Sequence, residues 1–201
     1  MTTTVKFHFD PLCPWAWQTS KWIREVEKVR EIEVEWRLFS LEIVNGEADE
    51  TNPYAAALLN DRHALRTLAL VQRAEGNDAA GRLYESLGGL VHESPSESLE
   101  EKVIRAALAD AGLDQAMLDR AIADDSTMYD VRAQHEKAVA EVGAFGVPVI
   151  VLPSGKGIFG PVVATAPTGE ASGKLWDHVE WLIEQDGFFE LKRERDRKPG
   201  A

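Results

Sequence analysis

From Thr4 to Phe9 the chain alternates side-chain type (TVKFHF) and is rich in β-formers, which predicts a strand. Asp10-Pro11-Leu12 breaks it. From Cys13 to about Arg30 the period changes: Trp15, Thr19, Trp22, Val26 and Val29 recur at spacings of four, three, four and three, one continuous helical face. Pro14 suits a first helical position, where its missing N–H is not needed. Alternation returns at Ile32–Phe39 (IEVEWRLF), a second strand, so the opening has the size of a βαβ unit.

After about Asn45 the pattern changes again. Residues 46–53 are polar with Gly and Pro, and nearly a hundred residues follow without a convincing strand. Tyr54, Leu58, Leu65, Leu68 and Val71 predict a helix ending near Gly76. Ser98 and Glu101 make a capping-box pattern ahead of Val103, Ile104, Ala107 and Leu108, with Gly112 as the stop. Two further helices are predicted over about 114–123 and 128–142. Pro148–Leu152 (PVIVL) then reads as a strand, Gly157–Gly160 as its hairpin partner, and Ala171–Gln185 as a final helix with Leu175, Val179 and Leu182 inward. The tail from Lys192 is a charge run, expected to be solvated. The order βαβ, helices, ββα predicts an α/β chain: one domain from residues 1–46 and 144–201, interrupted by an all-helical insertion over 47–143.

Composition adds exclusions. With 44% hydrophobic and 28% charged residues the chain is of ordinary globular type. A formal net charge of -12 argues against nucleic acid or an anionic membrane as partner. Neither a secretion signal nor a run of roughly 18 apolar residues is visible. The single cysteine forbids an internal disulfide and favours a reducing compartment, here taken as the cytoplasm.

That cysteine carries the candidate chemistry. A helix N-terminus presents unpaired N–H groups and the positive end of the dipole, so a thiol there ionises more readily, below the roughly 8.5 of free cysteine. The alternative is a small buried core residue. In a C-x-x-C motif a second thiol three residues on releases the substrate; that position is Ala16, so any mixed disulfide must be resolved by an outside thiol. His92, in a Gly- and Ser-rich loop (LGGLVHESPSES), and His135, in a polar helix, are candidates to tune a thiolate; the alternative is plain solvent exposure. No metal constellation, phosphate loop or dinucleotide fingerprint is present, so neither metal nor flavin is expected.

FDPLCPWAW with TSKWI, GVP before a strand, and the FGPVV, GKLWD and FFELKR segments resemble the DsbA-like thioredoxin-fold oxidoreductases, and among them the mycothiol-dependent nitroreductase group. The likeness covers both ends of the chain and thins in the middle. It departs at Ala16, since that group carries CPWC where this chain has CPWA.

The resemblance implies a thioredoxin fold with an inserted helical lid and a cis Val147-Pro148 bond facing the cysteine; the residues alone would also allow a trans, strand-initiating proline. It implies catalytic roles for Cys13, Pro14, Trp15 and Pro148, and a thiol- or substrate-binding set of Ala16, Trp22, Asn45, Tyr54, His92 and Val147. For Trp15 and Trp22 the alternative is core packing, and for Asn45 an Asn-Gly turn. The co-substrate implied is mycothiol or another low-molecular-weight thiol. The partners implied are a small electrophile or a protein mixed disulfide, and the chain is expected as a monomer or homodimer. The expected activity is monothiol thiol–disulfide exchange. The alternatives are a thiol-cofactor enzyme resembling kappa-class glutathione transferases or chromene-carboxylate isomerases, and a non-catalytic binding protein.

Overall fold

In the computed structural model, residues 2–45, 55–94 and 98–200 are described. Among them are four strands in one mixed sheet and eight helices, the α/β class that the sequence predicts. The chain divides into two compact units, one of residues 1–9, 13–37 and 138–201, the other of 10–12 and 38–137.

The first unit holds the sheet. Strands β1 (Thr3–Phe9), β2 (Ile32–Leu38), β3 (Val149–Val151) and β4 (Gly157–Phe159) lie in the order β2-β1-β3-β4. β1 and β3 are antiparallel with Phe7 opposite Ile150, and β3 and β4 are antiparallel with Val149 opposite Phe159. Alternation sets the faces: in β2, Ile32, Val34, Trp36 and Leu38 are buried while the residues between them are not. Trp36 takes the edges of Phe7 and Phe9 at centroid distances of 5.4 and 6.0 Å.

Helix α1 (Pro14–Glu27) and the last helix, α8 (Glu170–Glu184), complete this unit. Cys13 is the N-cap of α1, so the helix starts one residue later than predicted, and it stops at Glu27, short of Arg30. α8 is buried along Ser172, Trp176, Val179 and Ile183. The inward stripe is therefore rotated from the predicted Leu175, Val179 and Leu182, because the large Trp176 ring turns inward to meet Trp22 at 6.2 Å between centroids. Trp22 is completely buried, and its indole N–H donates to the Ser172 carbonyl at 3.1 Å. Arg30 fastens the start of α8 by bonding both Glu170 and Asp177.

The second unit is helical, and none of the described residues from 55 to 140 is in a strand. It contains α2 (Leu41–Asn45), α3 (Ala55–Glu75), α4 (Asn77–His92), α5 (Glu101–Asp110) and α6 (Met117–Ala123), and most of α7 (Ser126–Val142). The sequence predicts no element at the start of α4 and places its end, Leu87–His92, in a loop. Its glycines and its polar end hide a regular face of Ala79, Ala80, Leu83, Tyr84, Leu87 and Val91, all buried. His92 is thus the last residue of a helix. The predicted capping box is absent: Glu100 is the N-cap of α5 and makes no side-chain cap bond. Gly112, at φ 73°, supplies the left-handed turn that ends the helix.

Trp22→Ala removes one of the two buried indole rings of the α1–α8 contact and its bond to the Ser172 carbonyl. It is expected to cost about 3–5 kcal/mol in urea denaturation, and Trp22→Phe distinctly less; equal losses would mean that the cavity does not control the effect.

Candidate functional site

β1 ends where Asp10 and Pro11 interrupt it, and α1 begins at Pro14, leaving Cys13 between them with extended backbone angles (φ -84°, ψ 108°). This is the geometry of an N-cap, with the thiol in the place usually taken by a serine or aspartate side chain. The Ala16 N–H donates to Cys13 Sγ at 3.4 Å, and the thiol donates to the Val147 carbonyl at 3.6 Å. The first turn of α1 contains no acidic residue to compete for the positive end of the helix. Cys13 is buried, at 8% exposure. A hydrogen bond to the sulfur favours the thiolate, whereas the carbonyl is served only by the thiol. Ionisation therefore breaks the tie to Val147 and keeps the tie to Ala16.

The same unit holds Pro14 at the first helical position, half-buried Trp15, and the Val147-Pro148 peptide, which is cis. Gly160-Pro161 is also cis, and the Pro161 carbonyl accepts from the Thr19 hydroxyl of α1 at 2.9 Å. Cys13, Ala16 and Val147 are thus in direct contact, with Pro14 and Pro148 bonded to them in sequence. Trp22 is not among them; it is a core ring between α1 and α8.

The charged tail is fastened rather than wholly solvated. The Arg195 guanidinium lies 4.7 Å from the Trp15 ring, and the Gly200 N–H donates to the Ala164 carbonyl at 2.7 Å.

The other candidates belong to the second unit or fall outside the description. Asn45 ends α2, is exposed, and donates to the Leu41 carbonyl at 2.8 Å. Tyr54 lies outside the described residues. His92 places Nε2 2.8 Å from the Pro11 carbonyl; since a carbonyl can only accept, that nitrogen carries the hydrogen. His135 is buried against Phe39 at 4.2 Å and accepts from the Ser40 N–H at 3.3 Å through Nδ1, so it is neither exposed nor polar in setting. Burial holds its pKa below the ordinary imidazole value.

Sequence reading missed one group, a pair of fully buried carboxyls, Asp10 and Asp61. Asp10 accepts from the Leu12 N–H at 2.8 Å and from the Leu41 N–H at 2.7 Å, fixing the turn that leads into Cys13 and the start of α2. The local signal was an Asp before Pro at a strand end, a turn former; nothing local points to Asp61. Burial raises Asp10 to about 6, against the lowering by its two amide partners and the Asp61 bond. Burial first, then the Asp10 charge, pushes Asp61 well above the carboxylate range. Asp10 is thus held by two backbone amides, whereas Asp61 is the carboxyl of the pair that burial favours more strongly in its protonated form. Among the described residues no cluster of three or more His, Cys, Asp or Glu side chains could hold a metal ion, and no helix is long and apolar enough to cross a membrane.

A family described as Rv2466c-like, mycothiol-dependent nitroreductase Rv2466c, matches residues 12–193. The chain belongs to this family. A relative from Mycobacterium tuberculosis (strain ATCC 25618 / H37Rv), the uncharacterised protein Rv2286c, is 39% identical over 191 residues, covering 95% of this chain and 82% of the relative. Among solved structures, the probable DsbA oxidoreductase SCO1869 of Streptomyces coelicolor superposes with a TM-score of 0.63 at 18% identity, over 96% of this chain and 94% of that one. The cytosolic disulfide reductase DsbM of Pseudomonas aeruginosa gives 0.61 at 12% identity, over 89% and 99%. The Rv2466c-like chain therefore has a DsbA-like thioredoxin fold and is a member of an oxidoreductase family.

The carboxyl pair has a pH signature. Both groups hold a proton more tightly in the folded state than in the unfolded chain, so the stabilisation from each is complete below the ordinary 3.8; that from Asp10 is lost as pH rises through about 6, and that from Asp61 also falls with rising pH. Asp61→Asn removes one titrating member, so the decline of the urea midpoint between about pH 4 and 7 should flatten. An unchanged slope would mean that Asp61 does not take up a proton on folding.

Proposed function

We propose that this Rv2466c-like protein is a monothiol oxidoreductase that works through a mixed disulfide on Cys13, with mycothiol as the outside thiol and small disulfides, electrophiles, nitro compounds or protein mixed disulfides as acceptors. The observation that carries the reading is a lone thiol at the N-cap of α1 with the Ala16 amide aimed at it, where Ala16 fills the place of a second thiol. Mycothiol follows from the family description. In this reading residues 1–46 and 144–201 are the thioredoxin-like domain and 47–143 its helical insertion, and a reducing cytoplasm suits the single thiol.

With a disulfide RS–SR, the Cys13 thiolate attacks one sulfur. The Cys13–SR bond forms, the S–S bond breaks, and RS⁻ leaves. An outside thiolate then attacks the SR sulfur, forming a new disulfide and expelling the Cys13 thiolate, a leaving group that the Ala16 N–H stabilises. With a nitro compound, the Cys13 thiol and one outside thiol together supply two electrons and two protons. The products are a nitroso compound, water and the same mixed disulfide, which a second outside thiol resolves.

Intact-mass measurement after incubation with mycothiol disulfide, and in parallel glutathione disulfide, should show one thiol adduct per chain, absent in Cys13→Ser. No adduct with either would reject the proposal. Ala16→Cys tests the monothiol step. Two cysteines at this spacing bring their Cα atoms within the roughly 4.4–6.8 Å that a disulfide spans, so the variant should shed its adduct without added thiol by closing an internal disulfide. Because Ala16 is fully buried, the added sulfur should also cost about 1–3 kcal/mol of stability. If wild type sheds its adduct as fast as the variant, the outside-thiol step is wrong.

A further inference from the structure

Beside the Cys13 loop the fold leaves an aromatic surface open. α7 ends at Gly143 (φ 64°), whose N–H returns to the Val139 carbonyl at 3.0 Å while that of Ala144 returns to Ala138 at 3.3 Å. The turn buries Ala144 and leaves Phe145 outside, 68% exposed. Its ring stacks on half-buried Phe159 of β4, with centroids 4.9 Å apart and planes 25° from parallel. Two residues on, the Val147 carbonyl accepts the Cys13 thiol hydrogen. Two peptide steps span at most about 7 Å, so Phe145 is anchored next to the loop that holds the reactive sulfur. A solitary exposed phenylalanine would need no explanation. This ring is held from behind by a partner, two residues from the carbonyl that accepts the thiol hydrogen.

We propose that the outer face of Phe145 is the seat of the acceptor, and that it selects flat, electron-poor aromatic rings of the nitroarene class. The inference rests on the reading of Cys13 as the working thiol of a nitroreductase-family protein. Its own support is electrostatic complementarity. The face of a phenyl ring is the negative part of its quadrupole, and nitro groups withdraw electron density from the ring they substitute, so the two faces attract in an offset stack. Phe159 already orders Phe145, which lowers the entropy lost when a ligand settles on it.

The test uses the full-length reduced protein with 1,3-dinitrobenzene as probe and nitrocyclohexane as a saturated control, followed by ligand-observed NMR titration. Cys13 thiolation is measured by intact mass on the same preparations. Phe145→Leu keeps an apolar side chain without the π face and should weaken dinitrobenzene binding about two- to tenfold. Nitrocyclohexane binding should stay unchanged, and Phe145→Tyr should bind as wild type does. Perturbation of the ring resonances of Phe145 and Phe159 in the wild type supplies a readout that does not depend on any variant folding. The inference is overturned if dinitrobenzene binds no better than nitrocyclohexane, if those rings do not respond, or if Phe145→Leu binds as wild type. Phe145-dependent binding without thiolation of Cys13 would support the seat and reject the thiol reading, whereas thiolation without such binding would do the reverse.

Discussion

The Cys13 sulfur receives the Ala16 amide hydrogen and gives its own to the Val147 carbonyl, and the first unit is arranged so that both are within reach. β1 must stop at Phe9, α1 must start at Pro14, and the chain must return more than a hundred residues later to set Val147 beside the cap. The sheet register places β3 against β1, which puts the start of β3 beside the end of β1 where the turn to Cys13 begins. The Trp22–Trp176 contact and the Arg30 clamp hold α1 and α8 together behind that junction. The reactive atom is thus fixed by backbone groups, which no side-chain substitution removes directly.

The two bonds have opposite preferences. The amide serves thiol and thiolate alike but is worth more to the anion, while the carbonyl is served only by the protonated form. A sulfur held this way exchanges one stabilising partner for freedom when it ionises. That is useful to a nucleophile that must swing toward a second sulfur.

Much of the scaffold was legible because its period is local. The strands alternate, α1 repeats at helical spacing, and Pro14 marks its start. The less legible parts depend on distant residues. α4 was masked by glycines that a buried face tolerates, and the phase of α8 turned on which of its large residues would meet Trp22. Within the candidate site, the cysteine and its cap position could be read from FDPLCPW, but the Asp10–Asp61 pair joins residues about fifty positions apart. Neither the stacking of Arg195 on Trp15 nor that of Phe145 on Phe159 leaves a local mark, because one member of each pair, Arg195 or Phe145, lies in what reads as ordinary tail or loop.

Ala16 has a consequence under oxidative stress. When peroxide converts a thiolate to a sulfenic acid, a neighbouring thiol normally condenses with it and halts the ladder before the irreversible sulfinic step. The chain has no other cysteine, so Cys13 has no internal thiol to call on. A thiol that caps it must come from outside the chain. In the proposed monothiol cycle, protection of Cys13 after an oxidant pulse therefore depends on the surrounding thiol pool, because the thiols that would resolve its mixed disulfide are also the ones that would cap its sulfenic acid.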